Sequence, residues 1–190
     1  MAVRLAVRAV IVEQGRLLLV NAWPEAAPAA APEAAPEDAP QAACQGSPEG
    51  LPAGPGAGAR DRDLWCAPGG GVAAHASLPA NLAREVREET GLAIAVGAPC
   101  LVNEFHDPAA GFHQVDIFFR CRIIGGALDP GWRDPEAVVS RRRFFTRDEL
   151  ATIRVKPDSL ARVAFGAGCL YDPLEPLLPR PAPPAARRRD

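Results

Sequence analysis

The sequence predicts an α/β domain built on a mixed β-sheet, on three observations. An apolar stretch with period-two alternation and a returning apolar run open the chain, one amphipathic helical segment follows a glycine run, and further strands and short helices come after it. The 190 residues suit one such domain, which commonly spans ~100–200 residues. The hydrophobic fraction of 48% is enough for a sizeable core. The 21 Lys+Arg nearly balance 23 Asp+Glu, for a formal charge of -2. That balance excludes a globally basic nucleic-acid binder and gives no basis for electrostatic docking on a membrane. No apolar run approaches the ~20 residues that span a bilayer. Met1 to Val12 carries Arg4 and Arg8 and has no small-residue cleavage site, so it does not read as a secretory signal. Five scattered cysteines form no C-x-x-C pair, which argues against a zinc site and a disulfide framework. The expectation is a cytoplasmic protein with free thiols.

Val3, Leu5, Val7, Ala9 and Ile11 alternate along a first strand with Arg4 and Arg8 opposite; Glu13 to Arg16 is a turn, and Leu17 to Val20 returns. From Pro24 to Arg60 the composition shifts to Ala, Pro, Gly and Glu, with Pro24, Pro28, Pro32, Pro36 and Pro40 at every fourth position. A proline inside a helix costs ~3 kcal/mol, so alanine's helix propensity is overridden. With no apolar face to offset ordering, 24–60 is expected to be a disordered or polyproline-like insertion, with a partner-recruiting arm as the alternative. The domain proper is expected over 1–170, followed by a Pro/Arg-rich tail at 171–190.

Ordered structure is expected to resume at Leu64-Trp65. Pro68 to Gly71 reads as a loop, and Ser77 to Thr90 as a helix. Ser77 is its N-cap, Pro79 sits in the first turn, where a missing N–H does no harm, Leu78, Leu82 and Val86 form one apolar stripe, and Gly91 ends it. Leu101 to His106 and His113 to Ile124 read as a hairpin. A short strand near Arg142 to Phe145 then leads into a capping box, Thr146 with Glu149, for a helix starting at Arg147. A final short helix covers Ser159 to Phe165.

The chemistry is concentrated in Gly69-Gly70-Gly71 and in the stretch from Arg84 to Leu92. On a helix, Glu85, Glu88 and Glu89 stand at i, i+3 and i+4 and share one face. Their mutual repulsion is relieved by a divalent cation, and carboxylate oxygens suit Mg²⁺ or Mn²⁺, ions that also bridge to phosphates. The glycine run lets backbone approach a ligand closely. A solvated face of weak ion pairs is the alternative for the acidic triplet taken alone.

Gly70 to Leu92 resembles the signature of the Nudix hydrolases, G-x5-E-x7-R-E-U-x-E-E-x-G-U with U a bulky aliphatic residue. Gly70, Arg84, Glu85, Val86, Glu88, Glu89, Gly91 and Leu92 fall in register. The resemblance implies an α/β/α sandwich and hydrolysis of a pyrophosphate bond in a nucleoside diphosphate derivative. It also implies Mg²⁺ (or Mn²⁺) held by Glu85, Glu88 and Glu89, with the Gly70 carbonyl as a further ligand. One position departs: the first glutamate of the signature would fall at 76, where this chain has Ala76, preceded by His75. A methyl group neither accepts a hydrogen bond nor binds a cation. The metal site is therefore expected to persist with altered affinity, His75 being one group that could compensate.

Arg84 is expected to orient one of these carboxylates, with an ordinary helix ion pair as the alternative. For the general base that activates water, Glu88, Glu89 and, on a later loop, Glu136 or Asp134 are the candidates. Glu104, His106 and Trp65 are expected at the substrate, with His113, Asp116, Trp132, Phe105 and Phe112 nearby or in a structural network. The expected partner is a small nucleotide-type substrate, with no membrane and no nucleic acid; the oligomeric state stays open, a homodimer being compatible. The alternative to an enzyme is a non-catalytic nucleotide-binding module in which Ala76 marks lost catalysis.

Overall fold

The computed structural model describes residues 2–21, 64–108, 111–172 and 175–176. The insertion 24–60, Cys44 and the chain beyond 176 lie outside the described residues.

Apolar residues form the strands β1 (Arg4–Glu13) and β2 (Arg16–Asn21), joined through a turn at Gln14-Gly15. They are followed by β3 (Leu64–Cys66), β4 (Gly69–Gly71), helix α1 (Leu78–Thr90), β5 (Ala93–Asp107), β6 (Phe112–Gly125), β7 (Arg142–Thr146), α2 (Arg147–Leu150), β8 (Arg154–Lys156), α3 (Leu160–Ala164), β9 (Leu170–Tyr171) and β10 (Glu175–Pro176). The sheet order is β10-β5-β6-β1-β2-β3-β8, with β4 on β1, β7 on β2 and β9 on β5. It is mixed: β1 and β6 run parallel, whereas β1–β4, β1–β2 and β5–β6 are antiparallel.

Helices cover both faces. Leu82 and Val86 of α1 pack with Val7, Ala9, Ile11 and Leu18 on one side. Leu150 of α2 and Leu160 and Val163 of α3 pack with Val10, Leu17, Leu19, Trp65 and Phe118 on the other. This is the expected α/β/α arrangement.

The double cover corrects the first-strand expectation. Ala6, Val7, Ala9, Val10 and Ile11 are all buried, while Val3 and Leu5, assigned to the apolar face, are exposed at 57% and 39%. A strand between two layers buries both sides, so alternation survives only where the layers end. The glycine run is also not a plain loop. It forms β4 against Ala6 to Arg8, and sheet pairing continues past residue 170 through β9 and β10.

Candidate active site

Helix α1 starts and stops on local chemistry. The Ser77 hydroxyl accepts from Ala80 N–H, Pro79 lies in the first turn, and Gly91 adopts φ 76° while its N–H donates to the Arg87 carbonyl. The apolar stripe seats the helix on β1, which turns Glu85 and Glu89 toward β4.

Glu89 is nearly buried, and its Oε2 accepts the Gly69 N–H at 2.8 Å. Burial pushes its carboxyl up to about 8, the Glu85 and Asp134 charges adding to the rise and Arg8 and the Gly69 N–H opposing it. Glu85 lies under the glycine backbone: a Cβ on Gly70 would fall 2.2 Å from its Oε2, so only glycine leaves that carboxylate its place. Burial raises the Glu85 carboxyl too, against the pull of Arg84 and with added repulsion from Glu88 and Glu136.

Arg84 holds two of the acids at once. Its guanidinium donates to Glu88 Oε2 at 2.6 Å and to Glu85 Oε1. The triplet therefore lines one helix face but is divided, two acids on Arg84 and one on Gly69. Among the described residues no three His, Cys, Asp or Glu side chains stand together at metal-ligand spacing. The donor set still suits a hard divalent cation, because two partly or fully buried carboxylates whose protons are held by burial are the groups a cation would relieve.

The glycine that makes the direct polar contacts is Gly69. With φ 138°, it approaches β1 so closely that a Cβ would meet the Val7 carbonyl oxygen at 2.1 Å. Its carbonyl accepts from Arg8 Nη1 at 2.6 Å. The hydrogen bonds Ala9 N–H to Pro68 and Val72 N–H to Leu5 bracket the Val7–Gly70 pair. Antiparallel ladders alternate, so that pair is of the bonded kind and the Gly70 carbonyl points at β1. The Gly70 carbonyl is thus engaged with β1, whereas the Gly69 carbonyl is met by the Arg8 side chain.

Arg8 is the principal residue that the sequence pattern missed. Placed by period on a polar outer face, it exposes only 20% of its side chain and reaches Asp116 Oδ1 through Nε at 3.6 Å. Burial disfavours its charge, but Asp116 and the acids around it outweigh that and raise its pKa. Gln114 donates to Asp116 Oδ1 at 2.8 Å, so Asp116 belongs to a buried cross-strand polar network.

The loop carrying Glu136 is tied to the helix. Trp132 Nε1–H donates to the Glu88 carbonyl at 2.8 Å, and Arg142 donates to the Trp132 carbonyl at 3.0 Å. The Asp134 carboxylate accepts the amides of Glu136, Val138 and Val139. So engaged, it anchors the loop and is poorly placed to act as a base. Glu136 is exposed and near enough to Glu85 to raise its carboxyl pKa.

The remaining candidates have other partners. Glu104 accepts from Tyr171 Oη–H at 2.7 Å and lies 3.5 Å from His113 Nε2, while the His106 ring stands edge-on to His113. Trp65 is 7% exposed, packed edge-on against Phe145 in the core with Arg141 over its ring. That burial removes the open face that base stacking would need. His75 is exposed at φ 67° in the loop before α1.

The NUDIX domain family model matches residues 52–164, more than half of the chain. The chain belongs to the Nudix family. The match starts downstream of β1 and β2, so Arg8 lies outside it. None of the curated proteins compared with the chain matches it. Among solved structures, a UDP-X diphosphatase aligns with TM-score 0.57 at 18% identity over 90% of this chain and 68% of its own. A Nudix hydrolase from Nitrosomonas europaea aligns with TM-score 0.57 at 16% identity, covering 85% and 86% of the two chains. An ADP-ribose pyrophosphatase from Streptococcus suis aligns with TM-score 0.51 at 18% identity, covering 90% and 98%. Likeness at these identities speaks for the Nudix fold. No helix among the described residues is long and apolar enough to cross a membrane.

In this Nudix domain the loop around Ala76 is held by Asn81, which is 1% exposed. Its Oδ1 accepts from Ala73 N–H at 2.9 Å and its Nδ2 donates to the carbonyls of Ala73, Ala76 and Ser77. The loop thus keeps its course to the helix without a carboxylate at 76.

Proposed function

We propose that the chain is a Mg²⁺-dependent pyrophosphohydrolase that cleaves a nucleoside diphosphate derivative. The observation that carries this is the pairing of one helix face with one glycine backbone: Glu89 on the Gly69 amide, Glu85 under Gly70, and Glu88 beside them on Arg84. The metal set proposed is Glu85, Glu88 and Glu89, and the glycine carbonyl best placed to join it is Gly69, ahead of the Gly70 carbonyl implied by the signature. A bound Mg²⁺ would neutralise phosphate charge and acidify a water.

The residues of this chain supply the rest. Arg84, with 42% of its side chain exposed, holds Glu85 and Glu88 together through its two donors and, turned to solvent, would release both to a cation. Water forms a new bond to one phosphorus, the bridging P–O bond breaks, and the leaving phosphate keeps its electron pair. The proton lost by water goes to a carboxylate. Glu136 is the proposed acceptor, with Glu88 or Glu89 as the alternatives on the helix, because Glu136 is exposed to solvent water and lies in the field of Glu85. Glu104 and His106 remain proposed substrate contacts at the far part of the β5–β6 hairpin. The proposed setting is a cytoplasmic, nucleotide-type small-molecule substrate.

The test is a panel of nucleoside diphosphate sugars, ADP-ribose, dinucleoside polyphosphates and nucleoside triphosphates, with and without Mg²⁺. Release of nucleoside monophosphate or phosphate is expected only with metal, and it should be lost in Glu88→Gln and Glu89→Gln. Full activity in both variants would overturn the metal assignment. Ala76 favours one second reading, a nucleotide-binding module without catalysis, whose outcome is nucleotide binding with no turnover under any metal.

A further inference from the structure

Arg8 lies outside the signature, yet its guanidinium donates directly to the glycine backbone of the site. Four contacts join five residues in a chain: Gln114 Nε2–H to Asp116, Asp116 to Arg8 Nε, Arg8 Nη1–H to the Gly69 carbonyl, and Gly69 N–H to Glu89 Oε2. Both ends of the Gly69 residue are thereby restrained, its carbonyl by β1 and its amide by α1. Gly69 needs that restraint: lacking a side chain, it has the widest backbone freedom of any residue, and here it holds φ 138°. A guanidinium suits the task because its rigid planar fork fixes the angle between two acceptors, whereas the three donors of an ammonium rotate at the end of a flexible stem.

We infer that Arg8 is a positioning residue that, oriented by Asp116, fixes the Gly69 peptide and through it the Glu89 carboxylate for metal binding. This rests on the metal-dependent function proposed above. Arg8→Lys separates positioning from simple electrostatics. As a fixed positive charge beside acids, Arg8 repels an incoming cation but also favours the charged carboxylates that would bind it, so its field acts in both directions, and a lysine keeps that field. Positioning makes Arg8→Lys bind the metal more weakly than the wild type although the charge is kept.

The experiment is titration of the full chain with Mn²⁺ alone, free Mn²⁺ being read by electron paramagnetic resonance, for the wild type, Arg8→Met and Arg8→Lys, with thermal unfolding of each. Positioning predicts affinity at least about tenfold weaker in Arg8→Met, the scale of lost outer-shell support. Arg8→Lys, which keeps the charge and one donor for Gly69, should recover part of the loss. Equal or tighter Mn²⁺ binding in Arg8→Met overturns the role. So does a lowered melting temperature accompanied by unchanged affinity of the folded protein, which is what a merely structural arginine would give. If Arg8→Met does not fold, Arg8→Lys decides: weakening of several fold supports positioning, and wild-type affinity overturns it. A wild type that binds no Mn²⁺ defeats the function proposed above and this role with it, whereas a wild type that binds while the variants match it defeats only Arg8.

Discussion

Glu89 faces opposing demands: burial favours its neutral form, while Arg8 and the Gly69 amide favour its charge. Its folded carboxyl titrates near 8 against an ordinary value of 4.5, so between those pH values the folded state holds a proton that the unfolded state has released. Metal-free stability should therefore fall as pH rises from about 4.5 to about 8, with a slope from this residue of at most roughly 1.4 kcal/mol per pH unit. Urea unfolding with a chelator present measures it, and Glu89→Gln, which keeps an acceptor for Gly69, should lose that part of the slope. A variant whose profile matches the wild type would show that Glu89 is ionised when folded. Arg8 shows why such features escape a pattern. Period-two reading assigns it the same side as Arg4 and says nothing about an acid on β6, more than 100 positions away in sequence.

At the scale of elements, α1 and the loop after β6 behave as one clamp. The Trp132 indole holds the Glu88 carbonyl, and its ring lies where a Cβ on Gly91 would come within 2.9 Å. Gly91→Ala should thus lower stability by the left-handed strain of about 1–2 kcal/mol plus a packing conflict. Combining it with Trp132→Ala should relieve the conflict but leave the strain, so a double-mutant cycle by urea unfolding should show coupling. Simple additivity would mean that the ring yields freely. Trp132→Phe removes one hydrogen bond and should cost about 1 kcal/mol. Helix α1 was legible in the sequence because its signals are local: Ser77, Pro79, the stripe and Gly91 act within one turn. The capping box of Thr146 and Glu149 was legible for the same reason, and both of its hydrogen bonds are present. β4, β8, β9 and β10 were not, since strands of two or three residues exist only through partners far along the chain.

For the molecule as a whole, the long segment between β2 and β3 joins two strands that are already paired, Asn21 with Trp65 and Val20 with Cys66. Its ends are thus neighbours, and a short connection can replace it. Exchanging 24–60 for a few Gly and Ser residues should leave the melting transition cooperative and stabilise the fold by about 1–2 kcal/mol through smaller loop-closure entropy. A marked loss of stability would show that the segment packs on the domain. The loss of a cellular role with folding intact would instead favour the partner-recruiting arm.

By itself the sequence determined where α1 begins and ends, which of its faces is apolar, and that three carboxylates recur on it at i, i+3 and i+4, because caps and helical period act over a few residues. Only the tertiary structure decided that β1 is covered on both sides, that Trp65 is core, that Gly69 meets Glu89 while Gly70 lies over Glu85, and that Arg8 and Asn81 hold the backbone around them. Those outcomes depend on which distant strands and loops come to lie against each residue, and burial and hydrogen bonding across such contacts leave no periodic trace in the chain.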